Sequence, residues 1–253
     1  MEALTSSRLI TGEGTAESAW RKILEFRQVP CHPLDWWITD TARLVVLAPH
    51  PDDEILTCGA LLHQHALRGG DYLLVAATDG EASHEPTAQR STRQLAAARR
   101  AETLQGLQQL GLSSKNMARL GLPDGRLQQY VANLRSALEH VLRPTDLLVT
   151  TYALDGHPDH EACGEAAKYS CARVNCRLAQ APVWLWHWAE PTERSIPWAK
   201  LHGFNIPASS QANKQRALAE HATQMAASGA NQSPILGPSI LQRSERSSEY
   251  FFI

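Results

Sequence analysis

The chain has 253 residues, 43% hydrophobic and 20% charged, with a formal net charge of −2 at pH 7. That length holds one full α/β domain or at most two small ones, and the composition is ordinary for a globular protein. The near-neutral charge and the lack of a long Lys/Arg run exclude a nucleic-acid footprint, and no run of about 18 apolar residues offers a membrane span.

Residues 1–42 read as an N-terminal extension. Within it, "ESAWRKILEFRQV" sets Trp20, Ile23, Leu24 and Val29 at roughly helical spacing, so one amphipathic helix is predicted, ended by Pro30 and Pro33. From Arg43 the pattern becomes regular. "RLVVLAP" is a short continuous apolar run, as expected of a strand buried on both faces. "ILTCGALLHQHALRG" follows as a helix that stops at Gly69 and Gly70. Further strands are predicted at 72–78, 117–125 with its turn, 146–152, 181–189 and 200–206. Helices are predicted between them over 87–110, 126–142, 159–175 and 210–227. The tail, 229–253, reads as loop ending in "EYFFI" and packed on a domain spanning 43–228.

This alternation predicts an α/β fold, a mainly parallel sheet between two layers of helices. In such sheets ligands bind outside the carboxyl ends of the strands. "PHPDDE", "TDGE", "GLPDG" and "DGHPDH" all follow predicted strands and project to that one edge. The N-terminus, "MEALTSSRLITGEG", has no apolar segment of the secretory kind, and five cysteines without a Cys-x-x-Cys pair fit reduced thiols, so a cytoplasmic location is expected. Any metal site must then come from His, Asp and Glu.

By itself "HPDDE" is explained by helix capping, since acidic residues are favourable in a first helical turn. A second cluster, "HPDH" at 157–160, changes the reading. A catalytic zinc takes three nitrogen or oxygen ligands and keeps one position open. His50 and Asp53 are one turn apart, and His160 arrives from the other loop as the third ligand. Two imidazoles and one carboxylate leave a divalent ion with net positive charge, enough to activate water. Asp52 remains as a general base. His157 remains as a donor to an oxyanion or a leaving amine, with Asp159 as the group that fixes its tautomer.

At these residues the chain resembles the PIG-L/LmbE-like family of metal-dependent de-N-acetylases. The resemblance rests on "APHPDDE" at 48–54 and "GHPDH" at 156–160, supported by "TDGE" at 78–81, "RRAET" at 99–103, "GLPDG" at 121–125 and "KQRALAEHATQ" at 214–224. It implies a Rossmann-like three-layer fold and Zn2+ as the usual metal. It also implies removal of an acetyl group from an N-acetylglucosamine-type sugar or a related small amide. Carried over by position, the metal ligands match His50, Asp53 and His160, the base matches Asp52 and the oxyanion-stabilising histidine matches His157. Fe2+ suits a two-His-one-carboxylate set as well. Residues 1–42 and the tail carry no family motif and are expected to shape the substrate pocket or a homo-oligomer interface. Two other readings stay open: hydrolysis of a different small amide in thiol or secondary-metabolite metabolism, and metal or sugar binding without turnover.

The remaining candidates each have a bland alternative. Arg99 is either a substrate contact at the site edge or half of a surface ion pair with Glu102. Asp79 is a substrate hydroxyl contact or a turn residue before Gly80, and Asp124 is read as a turn residue. His221, one turn from Gln224, is a site-rim residue or a structural one. Trp184, Trp186 and Trp188 are expected on one face of the 181–189 strand, in core or interface packing. His63, His65 and His84 are expected to be exposed. No Gly-x-Gly-x-x-Gly, Walker or Gly-x-Ser-x-Gly sequence follows a strand, which disfavours a nucleotide cofactor and a serine nucleophile.

Overall fold

The computed structural model describes residues 8, 10, 12–87, 90–226 and 233–253. Its strands are β1 (Cys31–His32), β2 (Leu44–Ala48), β3 (Tyr72–Ala76), β4 (Met117–Arg119), β5 (Leu147–Thr151), β6 (Arg177–Ala181), β7 (Leu201–Asn205) and β8 (Ser248–Phe252). Its helices are α1 (Glu17–Phe26), α2 (Leu34–Trp37), α3 (Asp53–Leu67), α4 (Thr92–Gln109), α5 (Val131–Val141), α6 (Pro158–Val174), α7 (Leu185–Trp188), α8 (Ala208–Ala219), α9 (Ala222–Met225) and α10 (Pro238–Ser244). The strands form one sheet in the order β1-β7-β8-β6-β5-β2-β3-β4. All neighbours are parallel except at β8, which runs antiparallel to both β6 and β7.

The apolar run of β2 is explained by its central place. All five of its residues are buried. Leu44, Val46 and Ala48 face a core built with Ile55, Leu61, Leu107 and Leu218 of α3, α4 and α8. Val45 and Leu47 face the opposite core, with Leu134, Leu138, Ala162 and Ala166 of α5 and α6. Helices thus cover both faces, giving the expected three-layer α/β sandwich. Each fully buried Val or Leu contributes about 1.5–3 kcal/mol to this packing. A third cluster holds α1 in place, with Trp20 packed edge-on against Trp186 and donating its indole N–H to the Trp186 carbonyl at 2.7 Å.

Several elements differ from the sequence expectation. The fifth long strand is Arg177–Ala181, not 181–189, and Leu185–Trp188 forms a short helix instead. Pro182 cannot continue a hydrogen-bonded ladder, and the N–H groups of the next three residues are drawn into a turn described below. The three tryptophans therefore do not share a strand face: Trp186 packs on α1, while the Trp188 indole donates to the Asp155 carbonyl at 2.7 Å. The last long helix breaks at Glu220–His221 into α8 and α9. The tail carries α10 and β8 in place of a loop. His63, His65 and His84 are buried, because α3 is sandwiched between the sheet and α8 and because His84 folds in beside Ser83.

Helix α3 is kinked at Cys58, whose backbone leaves the helical region. The kink creates a second set of unsatisfied N–H groups inside the core. Glu249 of β8 accepts two of them, from Ala60 at 2.8 Å and Leu61 at 2.9 Å, and pairs with Lys214 of α8 at 2.7 Å. Lys214 also donates to the carbonyl of Leu56. The far end of the chain thereby holds the helix that starts at Asp53.

Candidate active site

The turn after β2 brings the first group of side chains to the sheet edge. The carbonyls of Ala48 and Pro49 accept from Ala77 and Thr78, which fixes the exits of β2 and β3 side by side. Asp52 then takes φ 114°, a conformation that costs a non-glycine residue. Two buried groups hold it there. Glu54 accepts the Asp52 N–H at 3.1 Å. Arg99 of α4 donates to the Pro51 carbonyl at 2.6 Å, to the Gly80 carbonyl at 3.0 Å and to Asp52 Oδ2 at 3.3 Å. At 2% exposure Arg99 is not a surface residue. Glu102 does not pair with it; its carboxylate caps α9 by accepting from the N–H and hydroxyl of Thr223.

The turn after β5 supplies the second group. His157 is the N-cap of α6, and its Nδ1 accepts the N–H of Asp159 at 3.2 Å. That contact places the His157 proton on Nε2. The Asp159 carboxylate does not reach His157 as the sequence reading expects. It accepts the N–H groups of Gly125 at 2.7 Å and Leu127 at 2.9 Å and meets His50 Nε2 at 3.2 Å.

Asp53 joins the two turns. Its Oδ2 lies 3.1 Å from His50 Nδ1 and 3.3 Å from His160 Nε2. The ligand atoms of these three residues fall within 4.8 Å of one another. Each imidazole has its other nitrogen on a carboxylate: His50 Nε2 on Asp159 and Asp124, each at 3.2 Å, and His160 Nδ1 on Asp155 at 2.8 Å. Carboxylates behind histidines in this way fix tautomer and direction for a metal. His50, Asp124 and Asp159 form a second group close enough for an ion, but Asp159 already accepts two backbone N–H groups and braces His50. The donor chemistry therefore fits a divalent ion at His50, Asp53 and His160.

Electrostatics agree with that fit. Burial opposes a charge on His160, yet Asp53 and Asp155 outweigh it and raise its pKa to about 9. Burial works against ionised Asp53 too, but His160 and His50 hold it far below the usual carboxylate range. Protons on the two imidazoles thus supply positive charge that a bound cation would replace. Asp52 is pushed up to about 7, by burial and the neighbouring Asp53 against the pull of Arg99. Burial raises Glu54 to about 8, so it serves Asp52 as a neutral acceptor. Burial and the two neighbouring histidines lower His157 to about 3, which keeps it a neutral Nε2–H donor.

These groups line a pocket of about 260 Å³. Asp52, Arg99, Asp124 and His157 make its polar side, and Leu56, Val183, Trp184, Leu236 and Ile240 its apolar side. The nine residues singled out from sequence divide here. His50, Asp52, Asp53, Arg99, His157 and His160 line the pocket, and Asp159 stands directly behind His50. Asp79 does not reach it, because Arg100 and Arg119 hold its carboxylate outside. Nor does His221, which is fully buried over Gly106, with neither ring nitrogen partnered among the described residues. Burial and the nearby Arg99 lower His221 to about 3, so it packs as a neutral ring. Gln224, one turn on, lines the pocket in its place.

Sequence reasoning missed Asp155 and discounted Asp124. Asp155 accepts the N–H groups of Val183, Trp184 and Leu185 at 2.8–2.9 Å as well as holding His160. This is the turn that ends β6 and swings Trp184 into the pocket. The only signal for it was an acidic residue at the end of a strand, five positions before a histidine. Asp124 sits in the turn predicted for it, but its carboxylate faces His50 and also accepts the Ala82 N–H at 2.8 Å.

Comparison with known proteins identifies relatives of the chain. The chain is 32% identical over 133 residues to the probable N-acetyl-alpha-D-glucosaminyl L-malate deacetylase 2 of Bacillus subtilis (strain 168), covering 49% of this chain and 58% of that protein. It is 31% identical over 157 residues to the 1D-myo-inositol 2-acetamido-2-deoxy-alpha-D-glucopyranoside deacetylase of Corynebacterium efficiens, covering 52% and 50%. The chain thus spans between half and three fifths of the length of these curated relatives. Among solved structures, the A40926 pseudoaglycone deacetylase Dbv21 superposes with a TM-score of 0.64 at 21% identity, over 84% of this chain and 97% of that one. The N,N'-diacetylchitobiose deacetylase of Pyrococcus horikoshii gives 0.57 at 20% identity, over 82% and 79%. At such identities these two likenesses speak for the fold. Residues 45–171, half of the chain and the part that carries both His-Asp turns, match the family described as GlcNAc-PI de-N-acetylase, and the chain belongs to this PIG-L family.

Proposed function

We propose that the protein is a metal-dependent amidohydrolase that removes the N-acetyl group from an N-acetylglucosamine-type conjugate, with zinc held by His50, Asp53 and His160. The observation that carries this reading is the convergence of two ring nitrogens and one carboxylate oxygen beside Asp52 on the wall of one pocket. Family membership and the printed activities of the relatives support the substrate class. A divalent ion so held supplies a Lewis acid that polarises the acyl oxygen and acidifies water. Asp52, kept in place by Arg99 and Glu54, takes a proton from the attacking water. The His157 Nε2–H donates to the acyl oxygen as negative charge builds there. The Asp52 carboxyl then returns a proton to the leaving nitrogen, so that acetate and a free amine form. Trp184, Leu236 and Ile240 exclude water from the opposite side and give the sugar ring an apolar face.

Acetate release from a panel of N-acetylglucosamine derivatives tests the reading. The expected result is acetate in step with new amine, abolished by chelation and restored by Zn2+. Release that survives complete metal removal, or no release from any derivative, overturns it.

Asp52 must be ionised to act, so kcat/KM is expected to climb with pH through its titration. Burial pushes Asp52 up to about 7, so the midpoint is expected near neutral pH rather than in the ordinary carboxylate range. A pH profile of kcat/KM from 5 to 9 checks this; a rate that falls across pH 5–7 would assign the base elsewhere.

A further inference from the structure

A second, smaller cavity lies against the first and shares Leu56, Val183 and Ile240 with it. Its room, about 50 Å³, takes roughly three or four waters, the bulk of a carboxylate or phosphate group. Three buried cations line it: Lys214, Arg243 and Arg246. Two of them are neutralised. Lys214 pairs with Glu249 at 2.7 Å, and Arg246 makes a two-pronged pair with Glu17 at 2.6 and 3.0 Å while lying over the Trp186 ring.

Arg243 is the surplus charge. Among the described residues no carboxylate pairs with it, and its one hydrogen bond runs from Nη2 to the Thr15 carbonyl at 3.0 Å. Its Nε and Nη1 are buried without a partner among the described residues, and the residue is only 7% exposed. Burial and the neighbouring Arg246 lower its pKa to about 10, which leaves it cationic at neutral pH. A buried guanidinium with two unused donors is costly unless an anion completes it. Nε–H and the N–H groups of Nη1 lie on different edges of the guanidinium, and each can donate to an oxygen of a carboxylate or phosphate.

We infer that Arg243 forms an oxyanion subsite beside the catalytic pocket and that the conjugate hydrolysed there carries a carboxylate or phosphate on the part beyond the sugar. This rests on the deacetylase reading above for its substrate half alone. Arg243 belongs to α10, outside the family-matched residues 45–171. The selectivity would thus come from outside the family-matched residues.

The test compares the methyl, carboxymethyl and phosphate glycosides of N-acetylglucosamine, alongside titration of the metal-loaded protein with inorganic phosphate and with acetate by calorimetry. Wild type is expected to favour an anionic glycoside over the methyl one by tenfold or more in kcat/KM, and to bind the matching free anion. In Arg243→Gln that ratio is expected to collapse towards one and anion affinity to fall tenfold or more, leaving only the binding that the metal centre itself supports, with partial recovery in Arg243→Lys. A purely structural role for Arg243 would lower all glycosides together and leave the ratio standing, which overturns the proposal. No anion binding to wild type overturns it as well. If no glycoside is hydrolysed while phosphate or acetate still binds in an Arg243-dependent way, the deacetylase reading fails and the oxyanion site stands. Preference between carboxymethyl and phosphate glycosides identifies which oxyanion the conjugate bears.

Discussion

Replacing Asp52 with asparagine is expected to lower kcat/KM by about 10²–10⁴, the usual worth of a positioned general base, with no change in metal content. Asparagine is the informative substitution for two reasons. It tolerates the φ of 114° better than alanine would, because asparagine is enriched at positive φ. It also keeps an oxygen able to accept from Arg99 Nη2, so the clamp at Pro51 and Gly80 survives. What it cannot do is take a proton. Metal analysis beside steady-state rates separates the outcomes. Lost activity with retained metal supports the assigned role, and full activity in this variant would remove Asp52 from the chemistry.

The largest loss of stability is expected at Asp155. This fully buried carboxylate accepts three backbone N–H groups and the Nδ1–H of His160. In Asp155→Asn one acceptor oxygen becomes an NH2 group, which opposes N–H donors on the side that loses its acceptor. The cost is about 3–5 kcal/mol, in the range for breaking a buried, hydrogen-bonded charge. The site changes with it. An amide NH2 beside His160 Nδ1 favours the tautomer protonated at Nε2, and that is the nitrogen facing Asp53. Metal affinity should fall 10–100-fold, as it does when a group behind a ligating histidine is removed. Denaturant unfolding with and without Zn2+, and a competitive chelator titration, measure the two effects. A variant with wild-type stability and affinity would mean that Asp155 neither holds the turn nor orients His160.

What sequence could and could not show follows from the range of the interactions involved. β2 was legible because a strand buried on both faces is expected to be a continuous apolar run, as Leu44–Ala48 is, and β5 because an apolar start passes into β-branched threonines. The pairing of "HPDDE" with "HPDH" was legible because both lie after strands whose ends a parallel sheet brings together. Asp155 was not, since three of its four contacts lie 28–30 positions away. The "VWLWHW" stretch alternates like a strand, but the carboxylate that takes the N–H groups of residues 183–185 overrides that pattern. His63 and His65 are polar residues near the end of a largely apolar helix, and nothing local says which of its faces is covered. Only the later arrival of Ser210 and Asn213 on α8 shows that His63 is covered. Asp79 and His221, each read from sequence as either a site residue or a structural one, lie outside the pocket lining for reasons equally remote in sequence: Arg100 and Arg119 hold Asp79, and His221 is buried over Gly106.

The place of β8 in the sheet also imposes a timetable. β7 and β1 reach the rest of the sheet only through β8, which follows every other strand in chain order. During synthesis the half built on β2, β3, β4 and β5 can assemble early, while β7 must wait, its edge unpaired, until residues 248–252 emerge. The same late strand delivers Glu249 to the kink in α3. The helix that begins at Asp53 is therefore among the last to reach its final form. Long-range pairing of this kind slows folding and leaves strand edges open meanwhile. A nascent chain stopped short of residue 248 is accordingly the form most prone to aggregate.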